Sequence, residues 1–298
     1  MELGMIGLGR MGANMAERLL AGGHRLAVFD VDSAAVERLA ARGAAGANSI
    51  ETLAAQLKPP RVIWMMVPAG DAVEKTIEKL SALAVADDVL ADGGNSNYKD
   101  TMRRAKFLRE RGIELVDSGT SGGIWGLQHG YCLMVGGSEK AVNRLRPALE
   151  TLAPAPDRGW AHVGPSGAGH FAKMVHNGIE YGMMQAYAEG FALLGRKSDF
   201  DFDLPQIAEL WRHGSVVRSW LLDLTAEALA EDAALEGVPA YVGDSGEGRW
   251  MVAEAIDQNL SAPVITLSLL ERLRSRDKDS FTGKLLAVMR KKFGGHAT

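Results

Sequence analysis

Short apolar runs alternate with amphipathic stretches through the first half of the chain. Residues 3–6, 25–29, 61–66, 89–91, 114–116, 131–135 and 161–163 are mostly apolar and bounded by glycine or polar turns. They predict buried strands. Residues 11–20, 34–41, 71–82, 98–111 and 139–152 carry a helical period between them,. Repeated strand–helix units predict a parallel, doubly wound sheet. Gly164-Pro165-Ser166-Gly167 breaks this pattern, and strand signals then largely stop,. Residues 168–194, 204–211, 219–231, 249–258, 263–274 and 282–292 read as helices. The expected organisation is an α/β domain over residues 1–164 and an all-α domain over 165–298 with a long central helix.

The first strand runs into Gly7-Leu8-Gly9-Arg10-Met11-Gly12, and a helical pattern follows. Strand, G-x-G-x-x-G, helix is the dinucleotide fingerprint of a Rossmann-type domain in its required context. Gly7 would permit the tight turn, Gly9 the approach of a pyrophosphate, and Gly12 close packing of helix on strand. The helix N-terminus supplies free N–H groups and the positive end of its dipole. A glycine-rich turn alone would be weak, but the second strand ends at Asp30, where an acid binds the adenosine ribose hydroxyls,. Val31, Asp32 and Ser33 offer no arginine for a 2′-phosphate, and two carboxylates would repel one. NAD is therefore expected over NADP. Ser33 or Asp32 can cap the helix that follows.

Ligands of doubly wound sheets sit beyond the carboxyl ends of the strands. Val67-Pro68-Ala69-Gly70, Asp92-Gly93-Gly94-Asn95-Ser96 and Ser118-Gly119-Thr120-Ser121-Gly122-Gly123 all lie at that edge. Ordinary turn chemistry is the alternative reading of the 92–96 and 118–123 loops when either is taken alone.

The long helix carries a different signal. With Lys173 at zero, His176, Asn177 and Glu180 fall at roughly −60°, +40° and −20° around its axis. An amine, an imidazole, an amide and a carboxylate thus share one face. Phe171, Met174, Val175, Ile179, Met183 and Met184 are apolar neighbours, so the helix is expected to be enclosed on most sides,. Polar groups there need partners or a cleft. The pattern fits a functional face, or else a satisfied buried network.

Composition narrows the classes. The chain has 298 residues, 47% hydrophobic and 23% charged, with a net charge of −4. This is ordinary for a globular protein and gives no sign of nucleic-acid or membrane binding. Cys132 is the single cysteine, which allows no intramolecular disulfide and fits a reducing cytosol,. No basic segment precedes an apolar core at the N-terminus, so no signal peptide is expected. No His, Asp and Glu grouping has convincing metal spacing.

The order of four motifs is similar to that of decarboxylating 6-phosphogluconate dehydrogenases, a branch of the β-hydroxyacid dehydrogenases. These are the glycine fingerprint, the 92–96 loop, Ser121-Gly122-Gly123, and Lys173-Met174-Val175-His176-Asn177-Gly178-Ile179-Glu180-Tyr181. The resemblance covers nearly the whole chain and points to the short form of the family, with an abbreviated helical domain. It implies oxidation of 6-phosphogluconate at C3 and loss of C1 as CO2, giving ribulose 5-phosphate. Lys173 would be the general base and Glu180 the general acid. Asn95, Ser121, Gly122, Gly123, His176, Asn177 and Tyr181 match substrate-binding positions. Gly7, Leu8, Gly9, Arg10, Met11, Gly12, Asp30, Val67, Pro68 and Asn95 would border the cofactor. A lysine base must be neutral, which burial favours. A β-keto acid can lose CO2 without a metal if the developing enolate is hydrogen-bonded.

Arg290, Lys291 and Lys292 end a helix, where cations complement the dipole,. The resemblance implies a further role, in which Arg290 and His296 reach a neighbouring subunit's site to grip the substrate phosphate. A homodimer or homotetramer would follow. Arg272 matches another phosphate-binding arginine, with Arg274 as the competing alignment. Two departures stand out. Ser245 occupies the place of a phosphate-contacting lysine, and Asp30-Val31-Asp32 replaces the Asn-Arg-Thr signature of NADP-dependent members. The rival readings are a dehydrogenase of another β-hydroxyacid without decarboxylation, and a non-catalytic nucleotide-binding protein.

Overall fold

The computed structural model describes residues 1–294. The strands are β1 (Glu2–Ile6), β2 (Arg25–Phe29), β3 (Ala45–Gly46), β4 (Val62–Met65), β5 (Val89–Asp92), β6 (Glu114–Ser121), β7 (Cys132–Gly136) and β8 (Trp160–Gly164). The helices among them are α1 (Arg10–Ala21), α2 (Ser33–Ala40), α3 (Ile50–Ala55), α4 (Asp71–Leu83), α5 (Tyr98–Arg109), α6 (Gly126–His129) and α7 (Glu139–Leu152). Then come α8 (Ala168–Arg196), α9 (Leu204–Trp211), α10 (Trp220–Glu231), α11 (Glu247–Asp257), α12 (Pro263–Arg274) and α13 (Phe281–Gly294).

The strands form one sheet in the order β3-β2-β1-β4-β5-β6-β7-β8. The first six follow the doubly wound arrangement, with its crossover between β1 and β4. Side chains alternate between the two faces of the sheet. Leu3, Met5, Val28 and Trp64 feed one apolar layer. Ile6, Ala27, Ile63 and Met65 feed the other.

The sheet departs from the wholly parallel expectation at one place. β6 and β7 pair antiparallel. Only residues 122–131 join them, fewer than a parallel crossover needs,. β6 is also longer than its apolar core suggests. Residues 117–121, small and polar enough to read as a loop, continue the strand and pair with β7. Three elements escaped the hydrophobic pattern, the four-residue α6 among them. β3 is two residues long, and α3 is a short helix whose N-cap Ser49 accepts a hydrogen bond from the Thr52 N–H at 3.1 Å.

The chain divides into two compact units, Met1–His176 and Asn177–Thr298, so the division falls inside α8. In the second unit the buried apolar cluster is Phe191, Ala208, Leu222, Ala226 and Leu229. Enclosure of α8 is partial, although Tyr181 and Phe191 are buried. Met174 is buried, whereas Ile179, Met183 and Met184 are 52%, 37% and 40% exposed. No helix among the described residues is long and apolar enough to cross a membrane.

Candidate active site

The fingerprint builds its loop from tight backbone contacts. Gly7 has φ +90°, a left-handed value that side chains disfavour,. A Cβ on Gly12 would lie 2.0 Å from the Gly7 carbonyl oxygen, so any larger residue would push α1 off the loop. Gly9 has open space where its Cβ would be. It stands at the N-cap of α1 without a side-chain cap, leaving the first-turn N–H groups to a ligand,. A cleft of about 770 Å³ opens over this loop. Of the residues assigned to the cofactor, Gly7, Gly9, Arg10, Met11, Gly12, Asp30, Val67, Pro68 and Asn95 line it. Leu8 instead sends its side chain into the core and its N–H to the Asp30 carboxylate. The other Asp30 oxygen accepts from the Asp32 N–H at 2.8 Å. Asp32 is the cap of α2, accepting from the Ala34 N–H at 3.0 Å. An uncapped helix end, an open glycine and an acid at the second strand's tip together fit a dinucleotide.

β5 and β6 bring a second group of side chains to the same sheet edge. Asn95 adopts φ +54° and clamps the neighbouring strand. Its amide oxygen accepts from the Thr120 N–H at 2.9 Å, and its amide nitrogen donates to the Thr120 carbonyl at 3.3 Å. Thr120 leads into Ser121, Gly122 and Gly123. Above β6, a Cβ on Gly119 would lie 2.4 Å from the Lys173 Cβ and 2.6 Å from the Gly169 carbonyl oxygen. That bare strand position lets α8 seat the buried Lys173 against the sheet. Lys173 Nζ is 3.4 Å from His176 Nδ1, and His176 Nε2 is 3.4 Å from Ser121 Oγ. Asn95, Ser121, Lys173 and His176 therefore form one cluster within the first unit.

Two acids with no assigned role hold this cluster in shape. Asp92, fully buried, accepts from the Gly94 N–H at 2.9 Å and from Ser96 Oγ at 2.7 Å. Asp117, also fully buried, accepts from the Gly167 N–H at 2.6 Å and the His170 N–H at 2.8 Å. It caps the long helix from a neighbouring strand, favourably for the helix dipole. Each acid stands where an apolar strand turns polar, which is the one sequence signal that marks them.

Asn177, Glu180 and Tyr181 continue along α8 in the second unit. Tyr181 is 5% exposed, and the Arg272 guanidinium lies 3.4 Å above its ring,. Burial pushes the Tyr181 phenol up from its ordinary range, while Arg272 pulls it down,. Arg272 also donates to the Gly243 carbonyl at 3.0 Å. Arg274, by contrast, pairs with Glu271 at 2.6 Å and is largely exposed. Both arginines border a cavity of about 580 Å³ that also includes Tyr181 and Ser275. Ser245 donates to the Glu247 carboxylate. Arg249, and then Arg276, hold the Asp244 carboxyl below the usual range. Arg290 is exposed on α13, and His296 lies outside the described residues. No group of three or more His, Cys, Asp and Glu among the described residues could hold a metal ion.

Known proteins resemble the chain along its whole length. Residues 2–164 match the NAD binding domain of 6-phosphogluconate dehydrogenase. Residues 169–293 match the 6-phosphogluconate dehydrogenase C-terminal domain. A Bacillus subtilis protein named "Putative 6-phosphogluconate dehydrogenase YqeC" is 45% identical over 298 residues, covering 100% of this chain and 99% of its own. An NAD(+)-dependent, decarboxylating 6-phosphogluconate dehydrogenase of Haloferax volcanii is 44% identical, over 99% of this chain and 98% of its own. Among solved structures, Plasmodium falciparum 6-phosphogluconate dehydrogenase, determined in its apo form and with NADP+ or 6-phosphogluconate, superposes with a TM-score of 0.86 at 28% identity. The match covers 99% of this chain and 65% of that longer one. The chain belongs to the 6-phosphogluconate dehydrogenase family.

Proposed function

We propose that the protein oxidises 6-phosphogluconate at C3 and releases C1 as CO2, yielding ribulose 5-phosphate, with NAD as the preferred acceptor. The observation that carries this reading is Asn95. It lines the nucleotide cleft and also grips Thr120, beside Ser121 and the Lys173–His176 pair. A hydride acceptor and a proton acceptor would thus meet at one strand edge. NAD, when bound, supplies the hydride-accepting ring.

Lys173 Nζ takes the C3 hydroxyl proton as the hydride departs. The product is a β-keto acid, which loses CO2 when its developing enolate is stabilised by hydrogen bonds. Lys173 then returns its proton to the C3 oxygen, and takes it back as Glu180 protonates C1 of the enediol, which leaves the ketone. His176 and Ser121 orient the substrate hydroxyls next to the base. Asn177, Tyr181, Gly122 and Gly123 complete the substrate contacts. Arg272 is favoured over Arg274 as a phosphate ligand, because it sits on Tyr181 rather than in a surface ion pair,. Asp30 and Asp32 favour NAD: a 2′-phosphate would face two carboxylates. The Haloferax relative's name agrees with that preference.

The same reading assigns residues 1–164 to nucleotide binding and 165–298 to substrate binding and self-association. Arg290 and His296 would reach the phosphate in a neighbouring subunit of a homodimer or homotetramer. A cytosolic setting suits the single cysteine. A steady-state assay with 6-phosphogluconate, comparing NAD with NADP and trapping CO2, tests the whole. CO2 and ribulose 5-phosphate formed faster with NAD are the expected result. Reduced cofactor without CO2 would support the simple β-hydroxyacid reading, and neither product would refute the assignment.

A further inference from the structure

His170 lies one helical turn before Lys173, is 2% exposed, and takes no part in the reaction above. Its ring is held at both ends. Nε2 is 3.1 Å from the Asp92 carbonyl oxygen, and Nδ1 is 2.8 Å from Thr101 Oγ1. A carbonyl only accepts, so Nε2 carries the proton; Nδ1 of the neutral ring accepts from the threonine hydroxyl, which the Asn97 carbonyl, farther off at 3.3 Å, also approaches,. The His170 backbone N–H donates to Asp117 at 2.8 Å. One residue is thus bonded to the end of β5, to α5 and to β6.

We propose that His170 is a positioning residue that fixes the first turn of α8, and with it Lys173, against the nucleotide-facing loop 92–96. A side chain that only filled space here would be apolar, since an imidazole buried with an unmet nitrogen is costly. With both nitrogens met, the ring permits few orientations of the helix and so specifies one. Its partner matters equally. The residue whose carbonyl takes the imidazole proton is Asp92, and its carboxylate shapes the loop through Gly94 and Ser96. That loop carries Asn95 into the cleft. A slip at His170 would therefore change the distance between the cofactor side and the base. Misplacement of a catalytic group by about 1 Å costs on the order of a hundredfold in rate.

The proposal rests on Lys173 being the base, so the test has one arm that needs no turnover. Three variants of the full chain serve. His170→Phe keeps a ring but no hydrogen bond, His170→Gln keeps a donor for the Asp92 carbonyl, and Thr101→Val removes the donor to Nδ1. His170→Phe is expected to lower kcat about thirtyfold to a hundredfold, with the KM for nucleotide within about threefold. His170→Gln should recover much of that loss, and Thr101→Val should fall between. Loss of folded protein alone would scale kcat by the active fraction, leave the pH profile of kcat unchanged and show no rescue by glutamine. In the second arm, hydrogen exchange is followed with and without NAD. Wild type should gain protection in loop 92–96 and in residues 170–176 together, whereas His170→Phe should gain it in the loop alone. Turnover of His170→Phe within about twofold of wild type, or equal protection of both segments in that variant, overturns the proposal. Coupled protection in a wild type that makes no CO2 would instead refute the assigned reaction and leave the joint standing.

Discussion

Alternate residues of every central strand in the first unit feed one of two apolar layers, and the acids at the sheet edge are met by backbone N–H groups and hydroxyls. The second unit buries a cluster of five apolar residues and leaves Ile179, Leu193, Val264 and Leu267 at 52%, 74%, 67% and 61% exposure. The contrast has a physical consequence. A sheet packed on both faces can hold awkward geometry, such as Asn95 at φ +54° and Lys173 pressed over Gly119, because many contacts fix each position,. A helical unit with so much apolar surface exposed is suited to association. In the proposed reaction the first unit sets the base, and the exposed apolar surface of the second is expected to meet another surface,.

The sharpest division between the units is chemical. Lys173→Met is expected to lower turnover about a thousandfold while nucleotide affinity, read by fluorescence titration, stays unchanged. Turnover within about tenfold of wild type would remove Lys173 from the role of base. Next in size is core truncation. Leu149→Ala should cost about 2–5 kcal/mol in urea unfolding, independent of protein concentration. Leu222→Ala should cost less, and its unfolding midpoint should rise with protein concentration, as for a unit stabilised by association. Identical, concentration-independent losses would erase the comparison. Within the second unit, Arg272→Ala should raise the KM for 6-phosphogluconate about thirtyfold, as for loss of a charged hydrogen bond of about 2 kcal/mol. Arg274→Ala should change it less than about twofold, being a surface ion pair. The reverse order would reassign the phosphate ligand.

The smallest effect concerns acid. Hydrogen bonding from Arg103, joined by Arg104, draws the Glu74 carboxyl from 4.5 down to about 2. A group depressed in the folded state adds stability that is complete above its unfolded value. That contribution is lost as pH falls from about 4.5 towards 2. Glu74→Gln should therefore flatten the acid limb of the stability curve by lowering stability slightly at pH 7, the loss being small because the carboxylate is partly exposed,. An unchanged acid limb would show that the pairing does not form in solution.

Much of this was legible in the chain. The nucleotide loop announced itself because each glycine answers a separate steric demand, as the contact of Gly12 with the Gly7 carbonyl bears out. The polar stripe on α8 was visible because helical period places Lys173 and Glu180 on one face. Residues 117–121 were harder to read. Ser118 and Thr120 are buried, yet small polar residues in a strand paired on both sides look like a turn when only hydrophobicity is counted. His170 gave no local sign of its role, and Asp117 only its place where an apolar strand turns polar. Their partners lie 50 to 78 positions away, a separation that no periodicity encodes. The apolar residues of α8 predicted enclosure, and Ile179, Met183 and Met184 are exposed. A hydrophobic pattern states that a face is to be covered, but not by what.

α8 runs unbroken from Ala168 to Arg196, so the proposed base and acid are separated by a count of residues. One residue inserted between 173 and 180 would turn Glu180 by about 100° and advance it by about 1.5 Å relative to Lys173. Four would nearly restore the phase but lengthen the gap by about 6 Å. Loops elsewhere in the chain can absorb added residues at little cost. The interval 173–180 is expected to accept substitutions at its outward positions and to reject any change of length.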